Sequence, residues 1–115
     1  MQIGIDLGAS KLEYVLLDDS GNEHHRERIE VPKDYKNTIA IIKKIVIELE
    51  KKAGKELPVG VCHPGIHSIQ TGLIKNAPNS FWINGKPLQR DLRAEIGKEI
   101  YCENDANCFA LSEAI

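Results

Sequence analysis

Three short clusters of polar residues carry side chains that can do chemistry, and the first lies near the amino terminus. Asp6 follows an apolar, strand-like segment and precedes a turn of small residues, Gly8, Ala9 and Ser10, that ends at Lys11. Such a turn points successive backbone N–H groups into a concavity that binds anions, and a nearby aspartate can hold Mg²⁺ directly or through water. The cluster therefore predicts a phosphate site. A plain hairpin turn is the simpler alternative, because Gly and Ser are ordinary turn residues.

The second cluster, residues 103–107, lies where a short apolar strand meets a predicted helix. Ligands of α/β sheets bind at the carboxyl ends of strands, so Asp105 stands where it could take a proton from a substrate hydroxyl. Helix capping is an equally good explanation, because Asn and Asp are preferred residues at the start of a helix.

The third cluster follows a buried strand and consists of Pro64 and Gly65, with Asn76 and Asn79 in the next loop. Amide side chains suit sugar hydroxyls because they offer both donors and acceptors. On local evidence alone, turn formation is the commoner role of such Asn residues. His63 has no second ligand at a suitable spacing, which is typical of a structural histidine.

A definite order of strands and helices must position these clusters. A meander of three antiparallel strands is predicted first, and helices alternating with strands follow it. That order indicates an α/β domain with a mixed sheet whose later strands are parallel. The predicted strands cover residues 2–7, 12–17, 23–31, 59–62, 73–74 and 100–102, and the predicted helices cover 35–53, 87–96 and 106–114. Gly54 and Gly97 are expected to end the first two helices.

Composition excludes several classes of partner. The 115 residues include 15 Lys or Arg and 17 Asp or Glu, which gives a net charge of -2. No segment concentrates basic residues, so neither nucleic acid nor an acidic membrane surface is an expected partner. Every apolar run is shorter than the roughly 20 residues that span a bilayer, and the amino terminus lacks the features of a signal peptide.

The cysteines indicate the compartment. Cys62, Cys102 and Cys108 cannot all pair, and they show no metal-ligand spacing. We therefore expect a reducing, cytoplasmic environment and no zinc bound by these residues.

Taken together and in order, the motifs resemble those of the N-terminal lobe of ROK-family sugar kinases, which are members of the actin and hexokinase superfamily. The matching runs are residues 3–11, 60–65, 75–82 and 103–114. The last run resembles the fructokinase and N-acetylglucosamine kinase branch. The resemblance implies an actin/hexokinase-like (ribonuclease H-like) α/β lobe over residues 1–115, with the C-terminal lobe absent from this chain.

The resemblance also implies which residues contact the sugar. By position, Asp105 is the base that accepts a proton from the primary hydroxyl of a hexose, and Asn104 binds neighbouring hydroxyls. Gly65 and Asn79 line the same pocket. The implied sugar is fructose or mannose ahead of N-acetylglucosamine or glucose.

On the nucleotide side, the resemblance makes ATP and Mg²⁺ the cofactors. Asp6 organises Mg²⁺ and its water, and the phosphates meet the turn formed by Gly8, Ala9, Ser10 and Lys11. The family usually has glycine where this chain has Ala9, and alanine adopts positive φ at a cost, so a differently shaped turn is expected. The second phosphate loop and a zinc site belong to the C-terminal lobe.

The implied assembly is a homodimer of the complete protein, with an isolated lobe that is inactive and tends to self-associate. Two other interpretations compete with a kinase. A sugar-sensing domain of a ROK transcriptional repressor would normally follow a helix-turn-helix, whereas here a strand begins directly after Met1. The second competing interpretation is a non-catalytic remnant of the lobe.

Overall fold

The structure, a computed structural model, describes residues 1–68, 70–77 and 81–104. Within these ranges the strands are β1 (Gln2–Leu7), β2 (Lys11–Leu17), β3 (Glu23–Glu30), β4 (Val59–His63), β5 (Ile66–His67), β6 (Ile74–Lys75) and β7 (Ile100–Asn104). The helices are α1 (Tyr35–Ala53) and α2 (Leu88–Ile96), with a short 3-10 turn at Phe81–Ile83. Neither of these two helices is long and apolar enough to cross a membrane. The helix predicted over 106–114 lies outside the described residues.

Five strands form one mixed sheet in the order β3-β2-β1-β4-β7. The first three form the predicted antiparallel meander, and β4 and β7 extend it as parallel neighbours of β1 and of each other. The predicted mixed α/β sheet is therefore confirmed. Because β1, β4 and β7 are parallel, their carboxyl ends meet at one edge, where the three polar clusters were expected.

One face of the sheet is apolar and covered by the helices. Ile3, Ile5 and Leu7 alternate with more exposed residues along β1, and each is at most 1% exposed. This period of two places all three on the same face. The residues of α1 that pack into the same core are Thr38, Ile39, Ile42, Ile45, Val46 and Leu49, and those of α2 are Leu88 and Leu92.

Local signals fix the ends of α1. The Asp34 carboxylate caps the helix by accepting a hydrogen bond from the Asn37 N–H at 2.9 Å. Gly54 ends the helix, as the sequence predicts. At its start, the Tyr35 hydroxyl donates to Asp91 Oδ2 at 2.5 Å and so links α1 to α2.

The opposite face of the sheet carries Gly4 and Asp6 from β1, Gly60 and Cys62 from β4, and Tyr101 from β7. These residues alternate with the buried ones along their strands. Both α1 and α2 pack on the other side of the sheet. Tyr101 is 63% exposed.

Candidate functional site

The turn between β1 and β2 is closed by its own backbone. The Gly8 N–H donates to the Lys11 carbonyl oxygen at 2.9 Å. A Cβ at Gly8 would lie 2.8 Å from that same oxygen, so this close approach admits only glycine. The Ser10 carbonyl oxygen accepts from the Val31 N–H at 3.1 Å and ties the turn to the end of β3. The predicted hairpin is therefore confirmed, with a turn closed by backbone hydrogen bonds at the carboxyl end of β1.

The expectation about Ala9 rested on positive φ, and that reason does not apply. Among the described non-glycine residues, only Asn76 has φ in the left-handed region. Ala9 therefore carries no such strain. In the same turn, the Lys11 ammonium lies 3.5 Å from the exposed Glu30 carboxylate. An exposed pair of this kind contributes little, so Lys11 can exchange Glu30 for a phosphate at small cost.

Asp6 lies at the carboxyl end of β1 and is exposed. In the register of the sheet, Asp6 lies opposite Glu13 of β2 on one side and opposite Cys62 of β4 on the other. Cys62 in turn lies opposite Glu103 of β7. The Glu13 carboxylate is neutralised by Arg26 and by Arg28, the latter at 3.0 Å.

The surroundings of Asp6 fit a Mg²⁺ ion that keeps most of its water. Within the described part of the chain, no hydrogen bond or ion pair engages the Asp6 carboxylate, and no group of three or more His, Cys, Asp or Glu side chains could form a metal cage. Mg²⁺ is commonly held by one or two carboxylates together with waters and substrate phosphates. Asp6 can supply one such carboxylate.

Gly65, expected to line the sugar pocket, lies at a very close contact. Its φ is 80°, and a Cβ there would be 2.6 Å from the Lys75 carbonyl oxygen and 3.0 Å from the Ala77 Cβ. The residue thus allows the β5–β6 hairpin to pack directly against the end of β4. Next to it, the fully buried His63 places Nδ1 3.0 Å from the Pro64 carbonyl oxygen.

Asn84 organises the following loop, and the sequence analysis missed it. Its side-chain oxygen accepts from the Ala77 N–H and its amide donates to the Ala77 carbonyl, both at 3.0 Å. This pair of bonds holds the backbone that faces Gly65. The available signal was the Asn84-Gly85 dipeptide, a strong turn motif.

A cleft of about 400 Å³ opens beside this loop. Apolar atoms make up most of its exposed lining, and hydroxyl, amide and ammonium groups are placed among them. Its volume falls in the range of small-molecule sites, and such polar groups can hydrogen-bond to hydroxyls of a ligand. The polar residues that line it are Ser68, Gln70, Thr71, Lys75, Asn76 and Asn84.

The strand that precedes the predicted base in the sequence, β7, ends beside the end of β4. Asn104 is the last residue of β7 and pairs in register with His63 of β4. Asp105, which follows it, and Asn79 lie outside the described residues. The structure therefore brings Asp6, Gly65 and the backbone of Asn104 to one edge of the sheet, and the roles of Asp105 and Asn79 stay predictions.

The two described cysteines differ. Cys102 is a free thiol, and burial raises its pKa to about 12. Cys62 is disulfide-bonded. The cysteine pattern, which favoured a reducing environment, did not predict this bond.

A five-stranded mixed sheet covered by helices on one face, with a glycine-containing turn and an aspartate at its carboxyl edge, defines a lobe of the actin and hexokinase kind. The model of the ROK family matches residues 2–115. The chain belongs to the ROK family.

Comparison with individual proteins agrees with this assignment. An N-acetyl-D-glucosamine kinase of Haemophilus influenzae is 38% identical over 115 residues, and the match covers 99% of this chain and 38% of that protein. The ROK hexokinase of Thermus thermophilus superimposes with a TM-score of 0.81 at 26% identity, over 96% of this chain and 37% of that one. The inorganic polyphosphate/ATP-glucomannokinase of Arthrobacter sp. strain KM superimposes with a TM-score of 0.80 at 30% identity. This match covers 98% of the present chain and 47% of that one. The chain thus spans less than half the length of these relatives.

Proposed function

We propose that this lobe serves a protein that transfers a phosphoryl group from ATP to a hydroxyl of a sugar, with N-acetyl-D-glucosamine as the first candidate. The observation that carries the proposal is the meeting of Asp6, the Gly8 turn and the end of β7 at one sheet edge. The names of the relatives support the substrate class, and they favour an N-acetylated hexosamine over the fructose or mannose implied by the motifs alone.

The chemistry divides between the residues of the lobe. The sugar hydroxyl oxygen attacks the γ-phosphorus as the bond to the ADP oxygen breaks, and the hydroxyl proton passes to the Asp105 carboxylate. Asn104, Asn79 and the backbone at Gly65 hold the other hydroxyls in place. Positioning supplies much of the acceleration in such a transfer.

The nucleotide side rests on the turn. The backbone of residues 8–11 and the Lys11 ammonium contact the phosphates, and Asp6 contributes a carboxylate to Mg²⁺. The ion neutralises charge on the transferring group when it is bound. This lobe supplies only part of such a site, because kinases of this kind close the nucleotide and the sugar between two lobes.

A chimeric enzyme tests the proposal. Residues 1–115 replace the matching part of the Haemophilus influenzae kinase, whose remaining length supplies the second lobe. ADP release is measured with N-acetyl-D-glucosamine, fructose, mannose and glucose, beside the unaltered Haemophilus enzyme. We expect turnover with N-acetyl-D-glucosamine at the highest kcat/KM. A folded chimera that binds the sugar but shows no turnover with any of the four would contradict the proposal.

A further inference from the structure

The loop that Asn84 organises contains a reactive dipeptide. Asn84 is the only asparagine of the sequence that precedes a glycine. Asparagine is thermolabile because the next backbone nitrogen can attack its side-chain carbonyl carbon, and a following glycine does not hinder this attack since it has no side chain. Gly85 is exposed, and no described atom lies within 4 Å of a Cβ built on it. Water and hydroxide therefore reach this peptide bond.

Hydrogen bonds occupy both of the groups that would react. The Asn84 side-chain amide is held by the backbone N–H and the carbonyl of Ala77, each at 3.0 Å. The Gly85 N–H donates to the Ile74 carbonyl oxygen at 2.7 Å. The attack requires the Asn84 amide to leave Ala77 and the Gly85 nitrogen to leave Ile74 and lose its proton. The folded loop therefore suppresses the reaction.

Opening at this dipeptide does not require the whole chain to unfold. Ile83 is fully buried and Ile74 is 1% exposed, so both flanking segments are anchored in the core. Gly85 and Lys86 are exposed, and the bonds that must break are the two to Ala77 and the one to Ile74. Such local opening costs less free energy than global unfolding.

We propose that Asn84 is a site of spontaneous deamidation that opening of this loop exposes, and that the modification keeps the loop open. The Gly85 nitrogen gives its proton to hydroxide and bonds to Asn84 Cγ. The bond from Cγ to the side-chain nitrogen breaks, and that nitrogen takes a proton from water and leaves as ammonia. Water then opens the resulting succinimide at either carbonyl, which leaves aspartate or isoaspartate. In total, one water is taken up and one ammonia is released.

The product cannot restore the original loop. A carboxylate at position 84 can accept from the Ala77 N–H, but it has no proton for the Ala77 carbonyl oxygen and repels it. The Ala77 nitrogen lies 3.2 Å from the position of a Cβ on Gly65, so a loosened Ala77 backbone also disturbs the edge that holds the candidate sugar site. Deamidation thus makes a transient opening permanent. This inference does not depend on the proposed phosphotransfer.

The deamidation rate of the 115-residue chain is the first test. The chain is incubated at pH 8 in buffer and in denaturing urea, and tandem mass spectrometry of the tryptic peptide 76–90 locates the change at residue 84. A sample digested at the start corrects for deamidation during handling. We expect the rate in buffer to be at least about tenfold lower than the rate in urea, because only the open population reacts.

Gly65→Ala separates opening of the loop from unfolding of the chain. The added Cβ crowds Lys75 and Ala77, and opening relieves that crowding. The rate at residue 84 in buffer should therefore rise about tenfold. Leu49→Ala is the matched control, because it destabilises the chain through the core packing of α1 rather than through this loop. It should raise the rate by less than about threefold, since global unfolding stays rare.

Urea below the unfolding transition gives a third measurement on the unaltered chain, and it decides the matter alone if Gly65→Ala does not fold. Opening of the loop exposes little surface, so the logarithm of the rate should rise with urea at less than about half the slope of global unfolding. The purified deamidated chain should also unfold at a lower urea concentration than the unaltered chain.

Four results would overturn the inference. These are equal rates in buffer and in denaturing urea, an equal rise in Gly65→Ala and Leu49→Ala when both fold, a urea dependence as steep as that of global unfolding, and an unchanged unfolding midpoint of the deamidated chain.

Discussion

Gly65 faces the carbonyl oxygen of Lys75 so closely that a Cβ on Gly65 would lie 2.6 Å from it. This contact joins the end of β4 to the β5–β6 hairpin, and it therefore determines where the loop beside the candidate sugar site lies. Both the backbone conformation and the space at this position require glycine.

Gly65→Ala should destabilise the chain by about 2–4 kcal/mol, the sum of positive-φ strain and overpacking. Gly85→Ala is the matched control, because Gly85 also has positive φ, 75°, but no described atom lies within 4 Å of its Cβ position. It should cost only about 1 kcal/mol. Urea unfolding measures both. Equal losses of stability in the two variants would show that the close contact at Gly65 adds nothing to the cost of the substitution.

Asn84→Ala should cost about 1–3 kcal/mol, because it leaves the Ala77 N–H and carbonyl without their side-chain partner. Asn84→Asp keeps the acceptor for the Ala77 N–H but places a second oxygen against the Ala77 carbonyl, so it should also destabilise. Denaturant unfolding of the two variants checks this. If Asn84→Asp left the free energy of unfolding unchanged, the hydrogen bond from Asn84 to the Ala77 carbonyl would contribute nothing to stability.

The raised pKa of Tyr14 predicts that the chain loses stability at high pH. Burial, followed by its hydrogen bond to Glu27, raises the pKa of the Tyr14 phenol to about 12. The folded state thus favours the protonated phenol, and this contribution is complete below the ordinary pKa of about 10 and is lost as pH rises through 12. The free energy of unfolding should fall less steeply between these limits in Tyr14→Phe than in the unaltered chain. If the free energy of unfolding fell equally steeply with pH in the two proteins, the pKa of Tyr14 would not be raised by folding.

Cys102 should resist alkylation. Burial raises its pKa from 9.0 to about 12, which lowers the thiolate fraction near neutral pH about 1,000-fold. Iodoacetamide at pH 8 should therefore modify Cys102 slowly in the folded chain and quickly in urea. Tandem mass spectrometry of the tryptic peptide 99–115 distinguishes Cys102 from Cys108 and would show this. Equal rates in the two conditions would mean that Cys102 is accessible.

Much of the fold could be predicted from local patterns. The apolar spacing between Tyr35 and Ala53, bounded by Gly54, predicts α1 with the bounds that the structure shows. The β5–β6 hairpin is different, because strands of two residues carry no periodicity. Only its second strand was predicted, near Leu73, since the pairing depends on the close approach at Gly65.

The candidate site was less predictable. The turn after Asp6 is a local feature, and its position was predicted correctly. The register that sets Asp6 beside Cys62 and Gly4 beside Gly60 depends on how β4 pairs with β1 across more than fifty residues. No short-range pattern encodes that pairing, so this register emerged only from the structure.

The most direct test of the central claim is the kcat of the Asp105→Asn chimera. Capping and catalysis make different demands on this carboxylate, because Asn caps a helix about as well as Asp but cannot accept the proton. We predict that kcat falls about 100-fold to 10,000-fold while the Tm and the Kd for the sugar stay close to those of the parent chimera. A kcat within about threefold of the parent would contradict the account and leave Asp105 as a structural cap.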